Sequence, residues 1–199
     1  MSLKKKDKFH HGDLREALLS AAEGLLDEGG TDKVTIRAVA RATGVSHAAP
    51  GNHFADRKAL LTALCTRLFT DLRDKIAQAV SLADSAAEER LFSFMDALVE
   101  YGLTHKERYR LLWQPDMINS EDTALQQMMD GLYDDFTDII KALYTDGTYD
   151  IDTIAVALWS MCHGYVAMRA DNMFVPMDDS KTRLPRHRAM ISSYLKGLQ

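Results

Sequence analysis

The sequence predicts an all-α protein, and three observations carry that prediction. Apolar residues recur at i, i+3, i+4 and i+7 in one segment after another. No stretch alternates as a half-buried strand would, and no repeat of 20–50 residues appears. Residues suited to helix caps and stops stand between the periodic segments.

The first helix is expected to be capped by Asp13, with Glu16 three residues on as the reciprocal partner. Its apolar stripe is Leu14, Ala17, Leu18, Ala21, Ala22, Leu25 and Leu26, and Gly29-Gly30 stops it. Val34, Ile36, Val39 and Ala40 mark a second helix, and Gly44 gives the backbone freedom for a sharp turn. A third, short helix is expected to open at Ser46 as N-cap, with Pro50 at the end of its first turn. Two short helices joined by a turn containing Gly form a helix-turn-helix, whose second helix fits a DNA major groove. On geometry alone an ordinary helical corner is the alternative. Asp56 can then cap a long exit helix with Leu60, Leu61, Leu64, Leu68, Leu72 and Ile76 on one stripe.

The chain stays helical beyond that point. A helix from Ser85-Ala-Ala-Glu88 to about Thr104 carries Leu91, Phe94, Met95 and Leu98 on one face. A short one with Tyr109, Leu111, Leu112 and Trp113 ends before Pro115. A longer one runs from Asp122 to Gly147, and Asp152 is placed to cap the next, which carries Ile154, Leu158, Met161 and Tyr165. A loop with Pro176 leads to a last helix from about Pro185 to Leu198.

Charge divides unevenly. The chain has a net charge of −5 over 199 residues, yet residues 1–58 hold ten Lys and Arg against eight Asp and Glu. An acidic body with a mildly basic head limits nonspecific adhesion and orients approach to a polyanion, although ordinary solvated helix faces give the same split. Cys65 and Cys162 are too few and too far apart for a metal site or disulfide framework, and they read as small apolar core residues. The apolar stretch from Ile154 to Met168 is interrupted by Ser, His and Gly and is expected to be too short for a bilayer. Neither a signal segment nor a membrane association is expected, so a cytoplasmic protein fits.

Chemistry motifs are missing. The chain has no Glu-x-x-His, His-x-x-x-His or Cys-x-x-Cys, no phosphate-cradling Gly-rich loop and no nucleophile elbow. Asp134-Asp135 and Asp178-Asp179 read as solvated surface. No catalytic residue, metal site or cofactor is expected.

The order of segments, and the residues in them, resemble the TetR family of transcriptional regulators. The resemblance lies in His11-Gly-Asp-Leu-Arg-Glu-Ala-Leu-Leu19, Val34-Thr-Ile-Arg-Ala-Val-Ala40, Gly44-Val-Ser-His-Ala-Ala-Pro50 and His53-Phe-Ala-Asp-Arg-Lys-Ala-Leu-Leu61. Farther on, Tyr109-Arg-Leu-Leu112 and Trp159-Ser-Met-Cys-His163-Gly164 resemble the branch whose C-terminal domain is named for a Trp-His-Gly signature. The chain departs from the family at Gly51, where an aromatic residue is usual, and from this branch at Asn52, where Arg is usual.

The resemblance implies a helix-turn-helix DNA-binding domain over residues 1–58 and a helical ligand-binding and dimerisation domain over 59–199. Implied by position, Ser46, His47, Ala48 and Asn52 face base edges, Gly51 stands where the family's aromatic residue contacts the phosphate backbone, and Thr35, Arg37, His53 and Arg57 meet phosphates. Pocket candidates are Phe92, Met95, Trp113, Met129, Tyr133, Phe136, Trp159 and His163, although such residues at helical spacing also suit plain packing. The implied partners are operator DNA, an unidentified small-molecule effector and a second copy of the chain. That copy would pair through the helices near 152–170 and 185–198, which carry Ile154, Leu158, Tyr165, Ile191 and Tyr194. The implied function is a repressor that a small molecule releases from its operator. The alternative is a helical small-molecule binder with weakened DNA binding, which Gly51 makes conceivable.

Overall fold

The computed structural model describes residues 11–198, and among these residues the chain folds into eight α-helices with no named strand. The helices are α1 His11–Gly29, α2 Ile36–Thr43, α3 Arg57–Leu82, α4 Ala87–Thr104, α5 Lys106–Leu112, α6 Thr123–Leu143, α7 Ile151–Ala170 and α8 Arg186–Lys196. The first two, with the turn after α2, pack on the start of α3 and form a small head. The long α3 continues into a body in which α4 lies against α3, α6 and α7, and α8 closes over α7.

Caps and stripes explain most of these boundaries. Asp56 accepts from the Ala59 N–H at 2.8 Å, and Asp122 accepts from that of Leu125 at 3.0 Å. The α3 stripe read from the sequence, Leu60 through Ile76, is buried throughout. Gly30 (φ 73°) and Gly44 (φ 72°) adopt the left-handed conformation at the two turns that shape the head.

Several expected boundaries move. Helix α1 is already under way at His11, two residues ahead of Asp13, so Asp13 is not its N-cap. Glu16 turns to Arg67 of α3, at 3.4 Å. Helix α6 stops at Leu143 rather than Gly147, which instead holds a left-handed turn (φ 73°). Asp150, not Asp152, caps α7 through the Thr153 N–H at 2.7 Å. Asp152 lies inside α7 and accepts from the Tyr133 hydroxyl at 2.9 Å.

Contrary to expectation, length does not exclude a bilayer span. Helix α7 has 20 residues and a mean hydropathy of 1.2, long and apolar enough by composition alone to cross a membrane. Its buried face nevertheless packs on α4, α6 and α8, as in the central helix of a bundle.

The body holds a connected aromatic core. Phe94 stacks on Phe136 at 4.8 Å, Phe136 meets the edge of Trp159 at 5.6 Å, and Trp159 meets Trp113 at 5.7 Å. Trp113 continues to Phe69, Tyr109 and His163, each within 5.8 Å. Gly102 lets α4 approach α7 closely, because a Cβ there would meet Val166 Cγ1 at 2.4 Å. At the far end Asp96 of α4 accepts from Arg188 and pairs with His187, both of α8, at 2.5 and 2.8 Å.

Candidate nucleic-acid interface and ligand cleft

The head presents its exposed residues on a short, irregular element. Thr35 caps α2 by accepting from the Ala38 N–H at 3.1 Å, and Gly44 ends it with its N–H on the Ala40 and Arg41 carbonyls. The expected third helix does not open at Ser46. The chain makes a turn there, closed by the Ala49 N–H on the Ser46 carbonyl at 3.0 Å, and then a 3-10 helix over Ala49–Asn52. Ser46 acts through its backbone, with no side-chain cap. The physical reason is Pro50, which has no N–H to donate and restricts the residue before it, followed by Gly51, a poor helix former.

Pro50 is buried and plugs the turn into the head, while Ser46, His47, Ala48, Gly51 and Asn52 stay exposed. Phe54 is buried beneath the Arg15 guanidinium, 5.5 Å from its ring centroid. Thr35 and Arg37 are exposed at the start of α2, and His53 is half-buried. Nothing lies within 4 Å of a Cβ added at Gly51, so a side chain there would project into open space.

Arg57 departs from its expected part. Its Nε donates to the Val34 carbonyl at 2.8 Å and its Nη2 to the Thr31 carbonyl at 2.5 Å. The guanidinium therefore pins the turn before α2 to the start of α3, and these donors are not available to a phosphate.

In the body, a cleft of about 340 Å³ opens between α6 and α7. Trp113, Met129, Tyr133 and Trp159, four of the eight expected pocket residues, line it. Phe69, Asp130, Leu132, Val156 and Ser160 complete the wall. The other four candidates lie elsewhere. Met95 and Phe136 are fully buried core residues, and Phe92 packs under the Arg188 guanidinium at 5.1 Å.

His163 stands behind Trp113, with its Nδ1 3.1 Å from the Tyr109 hydroxyl. Burial lowers the His163 pKa and raises that of Tyr109, so a neutral ring and a protonated phenol share this hydrogen bond. Burial also pushes both cysteine thiols up to about 12, which leaves them unreactive. The residues expected to pair two subunits are partly spent within one: Ile154, Leu158, Tyr165 and Ile191 are buried in this chain, and Tyr194 is half-buried. Among the described residues no cluster of three metal-ligating side chains occurs.

Head and body are joined by an ionic clamp that the sequence did not disclose. Arg108 of α5 donates to Asp27 of α1 at 2.8 and 2.5 Å and reaches Glu23 at 2.6 Å. Glu23 also pairs with Arg67 of α3 at 3.1 Å. Helix α5 therefore touches the cleft at its C-terminal end, through Trp113, and the head at Arg108.

Residues 18–64 match the family model described as "Bacterial regulatory proteins, tetR family", and residues 91–189 match "Tetracyclin repressor-like, C-terminal domain". The chain belongs to the TetR family. As a TetR family member it is a DNA-binding transcriptional regulator, of a family that is generally non-enzymatic and typically acts as dimers on operator DNA. It is similar to a Rhodococcus sp. RHA1 protein described as having unknown function, with 30% identity, a TM-score of 0.82 and coverage of 96% of this chain and 98% of that one. It shares its fold with the TetR family transcriptional regulator PfmR from Thermus thermophilus, at 21% identity, TM-score 0.61 and coverage of 90% and 94%. A tetR family regulatory protein from Rhodococcus RHA1 shares the fold at 20% identity, TM-score 0.62 and coverage of 92% and 93%. Comparison with curated proteins gave no match.

Proposed function

We propose that this TetR regulator is a cytoplasmic homodimeric repressor, which a small molecule bound in the α6–α7 cleft releases from a pseudo-palindromic operator. The observation that carries the reading is α5, which lines the effector cleft with Trp113 and clamps the DNA-binding head with Arg108. The functional division falls near residue 58, where the head gives way to the body inside the first turn of α3.

In this reading Ser46, His47, Ala48 and Asn52 approach base edges, with Asn52 able to pair with adenine, and Gly51 lies beside the phosphate backbone. Arg37, Thr35 and His53 serve phosphates, and Arg57 serves them only indirectly, by fixing α2. Two heads must stand about 34 Å apart to enter successive major grooves, so the second copy is required. With much of the apolar surface of α7 and α8 spent internally, the pairing falls to their half-buried residues, among them Met190 and Tyr194. A ligand that moves Trp113 shifts α5, the Arg108 clamp carries the shift to α1, and the spacing of the heads changes. The coupling is reciprocal, typically about 1–3 kcal/mol, so operator DNA weakens ligand binding by the same factor.

Selection of bound fragments from genomic DNA tests the reading. The expected result is an enriched site with two inverted half-sites; enrichment of no sequence contradicts it. The shortened reading element favours one alternative, a helical small-molecule binder with weak DNA contacts. That alternative predicts ligand binding with no enriched site.

A further inference from the structure

We propose that the effector cleft takes a small lipophilic cation. This inference rests on reading the α6–α7 cleft as the effector site and adds the chemical class of the effector. Four of the nine residues that line it are aromatic: Phe69, Trp113, Tyr133 and Trp159. Aromatic faces carry negative charge density and attract a cation that has shed its water. Asp130 is the one charged residue that lines the cleft, and it is exposed.

The surroundings carry the same sign. Between residues 130 and 141, α6 bears Asp130, Asp134, Asp135 and Asp138 against Lys141 alone. Lys141 is held by Asp138 at 2.8 Å. The nearest guanidinium toward α3, that of Arg73, is held by Asp135 at 2.7 and 3.2 Å. Asp152 stands behind Tyr133 and accepts from its hydroxyl. Asp135 and Asp138 are thus spent on Arg73 and Lys141 and face the groove toward α3 and α4, so in the cleft itself a cation meets the Asp130 carboxylate and the aromatic faces. An anion of the same shape meets repulsion from Asp130 and no basic side chain in the wall.

Size and shape agree with one compact molecule. The cleft of about 340 Å³ is in the range of small-molecule sites, and the apolar Met129, Leu132 and Val156 leave room for hydrocarbon around the charge.

Tetraphenylphosphonium and tetraphenylborate, ions of matched shape and opposite charge, test the proposal on the full chain. The only two tryptophans, Trp113 and Trp159, both line the cleft, so tryptophan fluorescence reports on it directly. The expected result is saturable quenching by the phosphonium at concentrations about tenfold or more below those needed for the borate. Asp130→Asn should weaken the phosphonium about three- to tenfold, and Asp130→Lys should reverse the preference. Asp130 is exposed, so neither change threatens the fold.

Equal binding of both ions, unchanged in Asp130→Lys, overturns the cation proposal while leaving the cleft as an effector site. Failure of both ions to quench, with the protein folded by circular dichroism, removes the effector site and the proposal with it. If sedimentation shows the phosphonium dissociating the dimer in step with quenching, a second subunit covers the cleft and the proposal falls.

Discussion

The head and the body of this TetR regulator solve opposite problems with the same all-α material. The body buries long stripes from α3, α4, α6 and α7 around an aromatic chain that runs from Phe94 to Trp113. Its helices are long, and removing one side chain leaves a hole. The head keeps a small core beneath α1 and α2 and turns its most informative residues outward on a four-residue 3-10 helix. Its geometry depends on single backbone-directed contacts: Thr35 on Ala38, Gly44 on Ala40, and Arg57 on Thr31 and Val34. Packing therefore specifies the body, and a few hydrogen bonds specify the head.

That contrast can be broken most forcefully in the body. Phe136→Ala removes a fully buried ring that touches both Phe94 and Trp159, and it should cost about 3–5 kcal/mol in urea unfolding. A loss under about 1 kcal/mol would mean that the aromatic chain is loosely packed.

The clamp between the halves comes next. Arg108→Ala should leave operator affinity within about twofold while abolishing most of the ligand effect on it, a coupling of about 1–3 kcal/mol. Titrating operator with and without ligand in the variant gives the answer. Intact release would show that the signal reaches the head by another route.

Arg57→Ala sharpens the head side. Loss of two charged hydrogen bonds to the Thr31 and Val34 carbonyls should lower stability by about 1–3 kcal/mol. The slope of log affinity against log salt should not change, because no phosphate contact is lost. A slope shallower by about one unit would return Arg57 to the phosphate backbone.

The smallest effect is expected at Gly51. Open space around its Cβ admits a larger side chain, so Gly51→Tyr should tighten operator binding about two- to tenfold by adding one backbone contact. No change in fluorescence polarisation would mean that position 51 does not face the duplex.

How much is legible in the sequence follows the same division. Periodicity locates every body helix to within a few residues, since Leu60 through Ile76 or Leu91 through Leu98 can only be stripes facing a core. It cannot say which aromatic side chains face a hole. Phe136 and Met95 fill space, whereas Phe69, on the same stripe as Leu68 and Leu72, borders the cleft. In the head, capping rules locate Gly44 and Asp56 but miss Thr35, the cap of α2, and they also make Pro50 tolerable in a first helical turn. Pro50 shortens the helix instead, because Gly51 follows it and the Ser46 side chain makes no cap. Arg57 and Arg108 lie beyond sequence reasoning for another reason. Their partners lie 23 to 85 residues away, and a surface arginine carries no local mark of the contact it makes.

The central claim is that the exposed face from Ser46 to Asn52 enters DNA twice per assembled molecule. The most direct measurement is sedimentation and polarisation of the protein with its selected operator, for the wild type and for His47→Ala/Asn52→Ala. The account predicts two subunits per operator duplex, half-sites centred about one helical turn apart, and loss of sequence preference in the double variant with its fold intact. A single subunit on the duplex, or a double variant that still selects the same sequence, would contradict it.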